Sequence, residues 1–210
     1  MQLNLFNYYF NLFRTARPVI KINITEVALS KMTALVDAFE GEVGWHGTVN
    51  KLAENFFEID DIIVYPQDAS AASIYTDQRK YEMWLMGQPD DIFNRLRMHG
   101  HSHVNFSATP SSKDDRHREG LTAHLLPGMF YLFLILNKAY KTHTYVHYKP
   151  GIALGPENIR LYATVRGKRT LLKNLSRKTL GRLLDNQPIR DFVSGAKKIV
   201  NEGRVTYESE

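Results

Sequence analysis

The 210-residue chain contains no cysteine. Disulfides and thiolate ligands are therefore excluded, and any bound metal would have to be held by imidazole, carboxylate and water. Long apolar runs are missing too. The most hydrophobic stretch, Met129 to Leu136, falls far short of the roughly 20 residues that a membrane helix requires. The opening MQLNLFNYYFNLFRTARP lacks a basic residue ahead of its apolar part, is interrupted by asparagine and offers no small-residue cleavage site, so it does not read as a secretory signal. Internal repeats and low-complexity segments are absent as well. These absences together point to a soluble, cytoplasmic protein with no membrane partner.

What remains is an ordinary globular composition, 43% hydrophobic and 23% charged. The length suits one principal domain with an appendage rather than two full domains. We place an aromatic leader at 1–17, a main domain at 18–165 and a basic helical extension at 166–210. The net charge of +5 is unevenly spread. Arg166, Lys168, Arg169, Lys173, Arg177, Lys178, Arg182, Lys197 and Lys198 crowd into the last quarter, interleaved with Leu171, Leu172, Leu175, Leu180, Leu183 and Leu184. That pattern predicts one or two amphipathic helices docked on the domain with a solvated basic face. Their field favours an anionic partner, nucleic acid among the possibilities, without choosing one.

Along the main domain, VIKINI at 19–24 alternates like a half-buried strand and leads into a helix capped at Thr25, with Val27, Leu29, Met32, Leu35, Val36 and Phe39 at helical spacing. The runs 42–49 and 56–65 predict neighbouring antiparallel strands. The Ser/Ala/Thr-rich stretch 68–76 reads as a loop, and Asp77 opens a helix carrying Tyr81, Trp84 and Leu85. Residues 97–103 predict a strand, 105–114 a loop, and 129–136 with 142–148 two buried strands. Helices interspersed with largely antiparallel strands make the fold class α+β.

The chemistry sits in HGHSHVNFSATPSSKDD, His99 to Asp115. Side chains at i and i+2 of a strand share a face, so His101 and His103 can aim ring nitrogens at one ion. Asp114, returning after the Thr109-Pro110 loop, supplies a carboxylate as third ligand and leaves a fourth position for water, the mark of a catalytic rather than a structural site. A zinc ion held there lowers the pKa of water toward about 7. Glu42 is the candidate base for that water and the proton donor to the leaving amine, with Glu40 as its competitor. Ser111 would donate a hydrogen bond to the developing oxyanion. A shifted pair, His99 with His101, fits the spacing to Ser111 and Asp114 less well. Asp115, His117, Trp45 and His46 are adjacent candidates, and Tyr75, Tyr81 and Trp84 could line a groove or simply pack.

An upstream Glu followed by His-x-His, seven residues, Ser, two residues and Asp resembles the JAMM, or MPN, zinc metalloprotease family. The resemblance covers about Pro18 to Val165. It departs from the family at Val104, where a proline is usual, and in the spacing of Gly44 after Glu42. It implies a JAMM/MPN-like (cytidine-deaminase-like) α+β sheet flanked by helices. It also implies Zn2+ on His101, His103 and Asp114, with Glu42 as general acid/base and Ser111 as oxyanion helper. The activity implied is cleavage of a peptide or isopeptide bond in a protein or peptide substrate, a ubiquitin-like conjugate among them. A non-catalytic MPN-like scaffold and a nucleic-acid-associated member using the basic tail are the other functions in view.

Overall fold

The computed structural model describes residues 19–148 and 152–202. The leader at 1–17 lies outside the described residues. Strand β1 (Ile20–Ile24) forms where its sequence predicts, though only Lys21 is exposed and Asn23 is buried with the isoleucines. It runs into helix α1 (Glu26–Ala38), whose first turn is capped by the Thr25 side chain accepting from the Ala28 N–H at 3.2 Å. β2 (Gly44–Ala53) and β3 (Phe56–Ile63) form the expected antiparallel pair. After the short β4 (Gln67–Ser70) and β5 (Ser73–Tyr75) come α2 (Gln78–Met86), capped by Asp77, and the single turn α3 (Asp90–Phe93). β6 (Leu96–His103), α4 (Ser112–Ala123), β7 (Phe130–Asn137) and β8 (Thr142–Tyr148) build the second half of the domain. β9 (Ile152–Leu154), β10 (Ile159–Val165), β11 (Lys168–Leu171), α5 (Arg177–Leu183), α6 (Gln187–Ile199) and β12 (Val200–Glu202) complete it.

Nine strands form one sheet in the order β11-β10-β1-β3-β2-β6-β7-β8-β9, and β12-β4-β5 form a second. The fold is α+β, but the large sheet is mixed. β1 runs parallel to both β3 and β10, and β6 runs parallel to β7, while the remaining pairs are antiparallel. A parallel pair cannot be closed by a tight turn and needs a long crossover. Between β6 and β7 that crossover is α4, which places a helix beside the histidine-bearing strand.

One face of the large sheet packs against α1, which in turn contacts α5 and α6. Ile22, Ile24, Trp45, Phe57, Met98, Leu132, Leu134 and Val146 from the sheet meet Leu29, Met32 and Leu35 of α1 there, all essentially removed from water. At roughly 25 cal/mol per Å2 of apolar surface, this layer is the chief source of stability.

Three local expectations change. The segment 105–114 is not loop throughout, because α4 begins at Ser112 and takes in Asp114. Residues 68–76 are a β-hairpin, β4–β5, rather than a loop; its strands are too short and polar to show periodicity, and β12 from the distant end of the chain pairs with β4. The segment from Arg166 is not purely helical. β10 and β11 are joined by a two-residue turn in which Arg166 (φ 50) and Gly167 (φ 73) both take positive φ, as hairpin turns of this hand require. Beyond it, Leu172, Leu180, Leu183, Ala196 and Val200 enter the same core as β1 and α1. The ten basic residues described in this region, the nine named above and Arg190, are all exposed, as a solvated face requires. Three of them lie over aromatic rings: Arg169 over Phe56 and Tyr162, Arg177 over Tyr140, and Lys197 over Phe39. Among the described residues no helix is long and apolar enough to cross a membrane.

Candidate metal centre

The pleat of β6 divides its residues between two environments. Met98, Gly100 and Ser102 face the core, where Gly100 is opposite Trp45 and a side chain on it would run into the Trp45 indole. His99, His101 and His103 face the other way, beside Phe133, Ile135 and Asn137 of β7. The same face of β8 carries His143, Tyr145 and His147, and β2 adds His46 opposite His99. With His117 of α4 lying against the His99 ring at 4.7 Å, seven of the eight histidines gather on one side of the sheet.

His101 and His103 bring their Nε2 atoms to 3.1 Å from each other. The Asp114 carboxylate closes the triangle, Oδ1 lying 3.1 Å from His101 Nε2 and Oδ2 lying 3.4 Å from His103 Nε2. A tetrahedral cation with ligand bonds of about 2.0–2.1 Å has ligand–ligand edges of about 3.3 Å, so the three spacings are those of one face of such a polyhedron. His103 Nδ1 donates to the Ser107 carbonyl at 2.7 Å, so Nε2 is the nitrogen turned to the cluster, where it holds a proton shared with Asp114 or, once that proton is lost, can ligate. Two imidazole nitrogens and a carboxylate drawn this close have mutually repelling lone pairs unless a cation or proton sits among them. The group could hold a metal ion.

Asp114 is held by the helix it begins. Ser111 is the N-cap of α4, its hydroxyl accepting from the Asp114 N–H at 3.2 Å, while both the Ser111 N–H and O–H reach Asp114 Oδ2 at 2.7 Å. This reciprocal capping box satisfies the first-turn donors and fixes the carboxylate at the same time. Burial alone would raise the Asp114 pKa, but hydrogen bonds from His101 and His103 outweigh it and hold the carboxyl far below its usual range. The hydrogen bond to Asp114 raises His103 in turn.

Glu42 reaches the cluster from the segment just ahead of β2, not from within the strand. Ser102, between the two histidines, pins that segment: its hydroxyl accepts from the Val43 N–H at 2.9 Å and its N–H donates to the Val43 carbonyl at 2.9 Å. The Glu42 N–H donates to the Ser70 carbonyl at 2.7 Å, and the Gln67 amide brackets Gly44, accepting from its N–H and donating to its carbonyl. Glu42 Oε1 thereby comes to 3.9 Å from His103 Nε2, and burial raises its pKa against the lowering pull of the two histidines. Glu40 points elsewhere, its exposed carboxylate paired with Lys138 at 3.2 Å.

The other candidates sort by contact. His99 stays outside the triangle, its Nε2 3.1 Å from the Tyr65 hydroxyl. His46 is buried beneath α2, with Nδ1 3.2 Å from the Met98 carbonyl, Nε2 2.9 Å from the Tyr81 hydroxyl, and the Trp84 ring stacked on it at 5.7 Å. Tyr81 and Trp84 therefore pack on His46 and do not line the cleft. Trp45 is core. Asp115 pairs with Arg118 at 2.7 Å. Tyr75 does line the cleft, a cavity of about 720 Å3 that contains Glu42, His101, His103, Ser111 and Asp114 and runs from β5 to β8. Its β8 wall, His143 and Tyr145 with Arg118 from α4, went unremarked in the sequence, although His143-x-Tyr145-x-His147 carries the same two-residue alternation as the motif strand.

No protein-family model matches the chain, and no curated protein does either. Among solved structures it is similar to protein DSY2949 from Desulfitobacterium hafniense, with a TM-score of 0.46 and 18% identity over 69% of this chain and 95% of that one. A likeness that loose carries neither fold nor function. The site is therefore read from its own geometry.

Proposed function

We propose that this chain is a JAMM/MPN-like metal-dependent hydrolase of peptide or isopeptide bonds, acting on a protein or peptide, ubiquitin-like conjugates included. The observation that carries the reading is the convergence of His101 Nε2, His103 Nε2 and the Asp114 carboxylate within one open cleft, beside a buried carboxyl. Two imidazoles and one carboxylate suit zinc and leave room for solvent. When bound, the ion supplies Lewis acidity and makes water acidic enough to ionise near neutral pH.

The chain's own groups do the rest. Glu42 Oε1 accepts the proton of the attacking water and returns it to the leaving nitrogen. Ser102 and Gln67 hold the Glu42 segment in place. Ser111 anchors Asp114, and its hydroxyl turns from that carboxylate toward the cleft it lines if it is to meet an oxyanion. Residence in the cytoplasm accords with a cysteine-free chain.

Zinc content by elemental analysis, followed by cleavage of peptide and isopeptide substrates with and without a chelator, tests the reading. Stoichiometric zinc and chelator-sensitive cleavage are expected. Failure to take up zinc when it is supplied would overturn the proposal in favour of a non-catalytic scaffold. The exposed basic residues between Arg166 and Lys198 favour an additional anionic partner, nucleic acid included. Such binding should weaken steeply between low and moderate salt.

A further inference from the structure

The cleft holds more charge-recognition chemistry than hydrolysis requires. Beyond the metal-ligand triangle, its wall is built by Arg118 of α4 and by His143 and Tyr145 of β8. The Arg118 guanidinium lies over the Tyr145 ring, 4.0 Å from its centroid, and one terminal nitrogen is tied to Asp115 at 2.7 Å. Stacking on one side and an ion pair at one end fix the plane of the group. Two nitrogens on this wall, Arg118 Nε and His143 Nε2, are buried without a hydrogen-bond partner. Buried polar nitrogens are normally paired, and leaving one unpaired costs on the order of 1–3 kcal/mol. The Asp115 ion pair engages one terminal nitrogen of Arg118 and leaves Nε unpaired, and with the Asp115 side chain 45% exposed the pair is partly offset by water.

From these contacts we infer that Arg118 and His143 form a carboxylate-binding subsite, so that the substrate carries a carboxylate a fixed distance from the bond to be cut. This inference rests on the metal-centre reading for its account of where cleavage occurs, but the binding it describes does not need the metal. Arg118 and His143 both lie against the Tyr145 ring, 4.0 and 4.9 Å from its centroid, and a guanidinium with a second N–H donor on the same wall suits a two-oxygen anion, which can accept from both at once. Burial, and next the charge of Arg118, lower the His143 pKa, so the ring is held neutral and can present one N–H. The cross-strand register sets the distance. His101 pairs with Ile135 and Ile135 with His143, so the subsite stands two strand spacings, roughly 10 Å, from the metal ligand. At about 3.3 Å per residue of extended chain, the carboxylate belongs two or three residues from the scissile bond. Its source can be a chain terminus or an aspartate or glutamate side chain.

The test uses short peptides in four forms: a free C-terminal carboxylate, the C-terminal amide, the amide with an internal glutamate, and the free acid lengthened by four residues. Binding to the full chain is followed by calorimetry and by the NMR signals of the histidine rings, with and without added zinc. We expect saturable binding of a carboxylate form with a shift of the His143 signals, and at least tenfold weaker binding of the amide. Which of the acid and internal-glutamate forms binds more tightly identifies the source. Arg118→Gln, whose side chain keeps its length, should weaken carboxylate binding tenfold to a hundredfold and leave amide binding unchanged. His143→Gln should do the same to a lesser degree. Equal binding of acid and amide, or carboxylate binding insensitive to Arg118→Gln in a variant that melts like the parent, overturns the subsite. Carboxylate binding that persists where no zinc is taken up sinks the metal centre and leaves the subsite standing.

Discussion

The two faces of β6 follow the same backbone and reach opposite ends of chemistry. Met98, Gly100 and Ser102 serve packing: Met98 is fully buried, Gly100 clears room for the Trp45 indole, and Ser102 ties down the neighbouring segment. One residue away in each case, His99, His101 and His103 are also buried, yet they face polar partners rather than the leucines of the core. Burial alone therefore does not separate the two faces. What separates them is the kind of partner: the core-face groups meet apolar neighbours and backbone, whereas the imidazoles of the other face meet further titratable groups.

The contrast can be broken from either side. On the site face, His103→Ala should abolish stoichiometric zinc binding, read by elemental analysis, and with it all chelator-sensitive cleavage, while the melting temperature of the metal-free protein changes little. Glu42→Gln should lower turnover by about 10^2–10^4 and keep the zinc, and Glu40→Gln should change neither. On the core face, Trp45→Ala should cost about 3–5 kcal/mol of stability in denaturant unfolding, because it empties a site sealed from solvent. Metal affinity per folded molecule should be retained.

His46 tests the boundary between the two. Burial lowers its pKa from 6.5 to about 4, so the folded state binds fewer protons than the unfolded state between those values. Stability on its account is fully present above about pH 6.5 and is lost as the pH falls toward about 4, a change on the order of 3 kcal/mol. Unfolding measured across that window should show the loss, and His46→Gln should flatten it. The smallest effect is expected at Ser111→Ala. Removing the cap should cost about 1 kcal/mol and weaken zinc binding by freeing Asp114, and calorimetric titration with zinc would read the second effect.

The site was legible in sequence where its geometry is local. His101 and His103 share a face because a strand repeats every two residues, and that needs no tertiary knowledge. The α4 helix was not legible, because SKDDRHREGLTA buries no residue and offers no apolar periodicity to detect. Its start signal was present all along, since Ser111 and Asp114 have capping-box spacing; read only as catalytic residues, they concealed the helix they begin. The parallel pairing of β1 with β10 spans most of the chain, and β11, reading KRTL, looked like part of a basic helix because charge says little about backbone hydrogen bonding. Arg118 was passed over for a similar reason. A lone arginine gains meaning only when the fold sets it over Tyr145.

Asp114 and Arg118 stand four residues apart on α4, one turn of a helix and therefore neighbours along a single ridge. The backbone between them is hydrogen-bonded and cannot stretch, so under the proposed function this turn of helix would serve as a gauge block, holding the carboxylate subsite at a fixed distance from the cation. A peptide whose acidic group falls short of that length would be gripped at one end only, and selection by length would follow without any moving part.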